Sequence, residues 1–154
     1  DFKKESFETV GYEFIQNFKK RKFEAQLFPE SVQLLQAARN HQITQSIVSA
    51  QEHALLNETV QYYKIDQYFN EILGIEHYYA DDKIKLAKLH REKLPYENNN
   101  IVMIGDSAHD FEVAQSLGIK CILCANGHYS KIRLQKYDCS IVDNHTQLES
   151  KIFG

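Results

Sequence analysis

Apolar residues along this chain recur in two rhythms, a helical spacing and short unbroken blocks, and their alternation predicts helices set between strands. Phe7, Val10, Phe14, Ile15 and Phe18 predict an amphipathic helix over residues 5–21, weakened slightly by Gly11. Pro29 opens a second helix with Val32, Leu34, Leu35 and Ala38 on its apolar side, ended by Asn40-His41. The block 43–49 reads as a strand, and 51–63 as a helix burying Leu55, Leu56, Val60 and Tyr63. A short strand at 71–73 stops at Gly74. Asp81 or Asp82 then caps a helix carrying Ile84, Leu86, Ala87 and Leu89. Pro95 and the asparagines at 98–100 form a loop into a strand at 101–104, followed by a helix over 109–117 that Gly118 ends. Strands at 119–124 and 140–142 and a closing helix through Leu148, Ile152 and Phe153 complete the pattern. Such alternation predicts an α/β fold with a parallel sheet.

Chemistry concentrates at residues 101–110. Four apolar residues, the mark of a strand buried on both faces, run into Gly105, then Asp106, with Asp110 one helical turn on. Ser107 or Asp106 can cap the next helix. Two acids at the carboxyl end of a parallel strand, with no base between them, suit a hard cation such as Mg²⁺. A capping role alone explains one acid and leaves the other without a task.

Composition narrows the classes. At 154 residues, with 43% hydrophobic and 25% charged positions, the chain fits one soluble core. A net charge of −3 gives no broad footprint for nucleic acid, and no apolar run is long enough to span a bilayer. The basic run from Lys19 to Lys22 reads as a solvated helix end. Cys121 and Cys124 have C-x-x-C spacing, yet Cys121 lies in an apolar block and no second pair completes a zinc site. Core packing in a reducing cytoplasm is the expectation, with Cys139 as the third thiol. His53, His109 and His128 lack metal-ligand spacing; His109 reads as exposed at a helix start. The tyrosine pairs 62–63 and 78–79 read as edge packing.

Two further positions fall at strand ends or helix starts. Ser49 closes a strand, with Ala50 opening the next helix; such a turn binds phosphate, though a plain N-cap is the commoner use. Lys83 stands in a first helical turn, where it opposes the helix dipole unless an anion is near. Taken together, Ser-Ile-Val-Ser49-Ala, Tyr-Ala-Asp-Asp-Lys83-Ile and Ile-Gly-Asp106-Ser-Ala-His-Asp110-Phe-Glu-Val-Ala resemble motifs II, III and IV of the haloacid dehalogenase superfamily. They are most similar to its phosphoglycolate-phosphatase-like branch.

The resemblance implies a Rossmann-like three-layer sandwich, with residues 1–24 the remainder of a helical cap and 25–154 the core. It implies a Mg²⁺-dependent phosphatase acting on a small phosphorylated metabolite through an aspartyl-phosphate. Ser49, with Ala50, would bind a phosphoryl oxygen, and Lys83 would balance phosphate charge. Asp106 would hold the metal, and Asp110 would order its surroundings through water or Lys83. The family's first motif, Asp-x-Asp-x-Thr, does not occur in the 154 residues. The central first strand that bears it is therefore expected upstream, supplied within a parent protein or as a separate chain. Without it the chain is expected to be inactive and to leave two half-sheets. A non-catalytic phosphate- or metal-binding regulatory domain is the alternative. A receiver-like signalling domain and a dehalogenase rank lower, the first on motif order and the second because it needs no metal.

Overall fold

The computed structural model describes residues 6–76 and 81–154. In chain order the elements are α1 (Phe7–Arg21), α2 (Pro29–Asn40), β1 (Ser46–Glu52), α3 (His53–Tyr62), β2 (Glu71–Ile75) and α4 (Asp81–Lys93). They continue with β3 (Val102–Gly105), α5 (Ala108–Leu117), β4 (Lys120–Cys124), α6 (Lys131–Leu134), β5 (Ser140–Val142) and α7 (His145–Phe153). All strand pairs are parallel, in two sheets ordered β1–β2 and β3–β4–β5. The α/β expectation stands, and among the described residues no helix is long and apolar enough to cross a membrane.

Period-two alternation along β4 builds a core on each face of the larger sheet. Ile122 and Cys124 join Val142 and Leu148, with Leu34 of α2 and Ile152 of α7 packed against them. Leu123 faces the other way, onto Phe111 of α5 and Leu134 of α6. Cys121 belongs to this second side, so the C-x-x-C spacing places its two thiols on opposite faces. Helices α3 and α4 pack on β1–β2, while α4 also meets α5 and α2 meets α7. These helix contacts hold the two sheets side by side and, among the described residues, leave β1 and β3 each with one unpaired edge.

That edge position corrects one expectation. The apolar block around β3 reads as doubly buried, yet Val102 is 38% and Ile104 43% exposed. With no strand on one side, β3 lacks the neighbour whose side chains would cover them. The first strand also runs later than its pattern suggests, from Ser46 through Glu52, with an irregular register between Ser49 and Glu52. Gly74 lies inside β2, opposite Ser49, rather than ending it.

Helix α1 starts at Phe7 with Ser6 as its cap. Phe14 and Phe18 lie exposed, so its apolar stripe is uncovered here. Its basic end is solvated as expected, with Lys19, Lys20 and Arg21 exposed; Lys19 pairs with Glu52 at 3.5 Å and the half-buried Lys22 with Glu58. Phe23 stacks on Tyr62 at 3.9 Å between ring centres, and the Tyr63 hydroxyl donates to the Ala25 carbonyl. The Tyr78–Tyr79 pair lies outside the described residues.

Candidate active site

The site grows from the β3–α5 corner. Ser107 is the N-cap of α5 and Asp110 its N3 partner, forming a reciprocal capping box. Asp110 Oδ2 accepts from the backbone N–H of Asp106 (3.0 Å), the N–H of Ser107 (3.1 Å) and the Ser107 hydroxyl (2.7 Å). Its other oxygen, Oδ1, accepts from Lys83 Nζ at 2.5 Å across 27 residues of sequence. Both partners are nearly out of water, Lys83 at 8% and Asp110 at 6% exposure. Burial pushes the Asp110 carboxyl up, but the Lys83 charge and hydrogen bonds from Lys83, Ser107 and the Asp106 backbone outweigh it. The net shift is downward. Lys83, misplaced against the dipole of α4, has its anion here. The described acid–base pair is therefore Lys83–Asp110, with both Asp110 oxygens already engaged.

Asp106 is held differently. Its Oδ2 accepts from the backbone N–H of His128 at 2.6 Å, and its carbonyl accepts from Tyr129 N at 3.3 Å. Oδ1 is engaged by none of the described residues. Two glycines make this packing possible by close approach. A Cβ on Gly105 would stand 2.2 Å from Asp110 Cβ, and one on Gly127 would stand 2.2 Å from Asp106 Oδ2. The loop bearing Gly127 and His128 is tied down in turn. Cys124 Sγ donates to Asn126 Oδ1 at 2.9 Å, and the Asn126 amide meets His145 Nδ1 at 3.3 Å.

Ser49 stands at the same carboxyl side of its sheet, but within β1, not at a helix start. Its hydroxyl oxygen accepts from Gln51 N at 3.1 Å, and Glu52 is the N-cap of α3. Ala50 is exposed and also lies in the strand. The expected helix start at Ala50 is thus corrected: β1 continues past Ser49 before turning. Helix α4, which carries Lys83, packs on both β1 and α5 and so links the two halves. Lys83, Asp106 and Asp110 come together through hydrogen bonds, whereas among the described residues Ser49 makes no hydrogen bond to any of the three. His109 is half-buried rather than exposed, with Nδ1 3.4 Å from Glu112 and a buried Nε2 lacking a partner among the described residues. The His53 ring caps Gly74 N at 3.3 Å, and His128 contributes its backbone rather than its ring.

The donor set can be tested against Mg²⁺. One hard carboxylate oxygen stands open beside one buried ammonium, and Mg²⁺ commonly takes one or two carboxylates plus waters and phosphate oxygens. Among the described residues no group of three or more His, Cys, Asp or Glu could cage an ion. The residues fit part of an open Mg²⁺ site and do not fit a closed zinc cage. The Gly127–His128 loop is the element the motifs miss. Its signal was present: an Asn-Gly turn directly after β4, the neighbour of β3.

A family model described as haloacid dehalogenase-like hydrolase matches residues 2–124. No curated protein matches the chain. Among solved structures, a predicted phosphatase from Clostridium acetobutylicum superposes with a TM-score of 0.81 at 21% identity, covering 94% of this chain and 68% of that one. A Lactobacillus delbrueckii protein assigned as a phosphoglycolate phosphatase gives 0.71 at 26% identity, covering 82% and 54%. A haloacid dehalogenase-like hydrolase from Streptococcus pneumoniae gives 0.78 at 20%, covering 97% and 73%. The chain thus spans between 54% and 73% of the length of these structures.

Proposed function

Because the chain belongs to the haloacid dehalogenase-like hydrolases, we propose that it is the larger part of a cytoplasmic, Mg²⁺-dependent phosphatase for a small phosphorylated metabolite. The observation that carries this reading is the buried Lys83–Asp110 pair beside a carboxylate with one open oxygen. Asp106 would hold the ion. When bound, the ion offsets negative charge on the transferring phosphoryl group. Asp110, with both oxygens engaged, acts through Lys83 by fixing its ammonium. Lys83 keeps N–H groups to spare for a phosphoryl oxygen. Ser49 accepts from Gln51 N, which leaves its own O–H to donate to the phosphate. The attacking carboxylate comes from outside these 154 residues, on a strand that pairs with the free edges of β1 and β3. The motif pattern resembles the phosphoglycolate-phosphatase-like branch, to which one structural neighbour is assigned, and the substrate class proposed is a small phosphorylated metabolite: phosphoglycolate, a sugar phosphate or a nucleotide.

The test is hydrolysis of p-nitrophenyl phosphate by the full-length protein, with and without Mg²⁺. Turnover should need the ion and should collapse in Asp106→Asn. Metal-independent turnover would remove the role given to Asp106. Phosphate binding without turnover would favour the regulatory alternative, which the missing Asp-x-Asp-x-Thr motif keeps open.

A further inference from the structure

Strand β4 pairs in register with β5, Ile122 opposite Ser140 and Leu123 opposite Ile141. One step back in the same parallel register, Cys121 stands beside Cys139. Both pack on the side of the sheet that holds Phe111, Leu123 and Leu134. Both thiols are free and only half-buried. They lie on the wall of a cavity of about 640 Å³ that Lys120, Asp138 and Lys151 also line. The cavity sits at the amino ends of the strands, away from Asp106.

We infer that Cys121 and Cys139 form a dithiol that closes reversibly to a cross-strand disulfide when a low-molecular-weight disulfide enters this cavity. Adjacent strands lie about 4.8 Å apart, inside the Cα range that a disulfide spans. Cys139 starts the reaction: burial raises both thiols, and Cys121, the deeper of the two, is pushed up to about 12. The Cys139 thiolate, its proton lost to solvent, attacks the reagent and releases one thiolate. Cys121 then loses its proton, attacks the Cys139 sulfur and expels the second. Two protein thiols are oxidised while one small disulfide is reduced to two thiols. Cys124, on the opposite face with its thiol donated to Asn126, takes no part.

The experiment treats the full-length protein with oxidised glutathione, blocks remaining thiols and maps the peptides by mass spectrometry. Wild type should yield a Cys121–Cys139 link that dithiothreitol removes, with Cys124 still free. Cys121→Ser should accumulate one glutathione on Cys139, and Cys139→Ser should form no link. The linked protein should melt about 5–10 °C higher, since the bond closes a loop of moderate length in the unfolded chain. A lasting glutathione adduct on wild-type Cys139, a link to Cys124, an unchanged or lower melting point, or three unreacted thiols would each overturn the inference.

Discussion

At the scale of single residues, the Lys83–Asp110 pair has the largest energetic consequence. Asp110→Ala strands a buried ammonium, and such losses run to about 3–5 kcal/mol; urea unfolding of the full-length protein should show a drop of that order. The pH dependence follows from the direction of the shift. The folded Asp110 pKa lies below its ordinary value of 3.8, so the unfolded chain binds the proton first. Its stabilising contribution is complete above that value and fades as pH falls through the folded pKa. Acid titration of stability should therefore steepen below about pH 4 in wild type and flatten in Asp110→Asn. Gly127→Ala tests the other acid. Its Cβ would drive into Asp106 Oδ2, and misplacing a reacting group by about 1 Å costs roughly 100-fold in turnover. Near-normal kcat in that variant, assayed with Mg²⁺, would show that the loop does not set the Asp106 geometry.

At the scale of elements, α5 draws its start and its chemistry from the same atoms. Ser107→Ala removes the cap and one donor to Asp110, which should cost about 1 kcal/mol in denaturant titration. An NMR titration should also find the Asp110 pKa nearer its ordinary value. This helix was legible in the chain because capping and 3.6-residue spacing are local properties, as are Pro29 at the start of α2 and the block that becomes β4. The β1–α3 corner was not. Ser49 carries the residue type of an N-cap, but hydrogen bonding to β2 continues through it and the turn falls three residues later. The exposure of Val102 and Ile104 was equally hidden, because an apolar block reads the same at an edge as in a sheet centre.

At the scale of the whole molecule, the division into two sheets is the dominant fact. The open edges leave apolar side chains such as Val102 and Ile104 in water, and each apolar side chain left uncovered forgoes about 1.5–3 kcal/mol of burial against a total stability of roughly 5–15 kcal/mol. The isolated 154-residue chain should therefore show no cooperative melt by circular dichroism, and should gain one when an apolar strand is supplied between β1 and β3. A sharp transition for the chain alone would contradict this. By itself, the sequence determined the order and type of the elements, the residue types at strand ends and the absence of an Asp-x-Asp-x-Thr motif. All of these depend on spacing within one turn or one strand. Only the tertiary structure decided that Lys83 meets Asp110, that the His128 N–H reaches Asp106, and that Cys121 has Cys139 rather than Cys124 beside it. Those pairings depend on which edges and faces pack together, a choice made by contacts across tens of residues that no local pattern records.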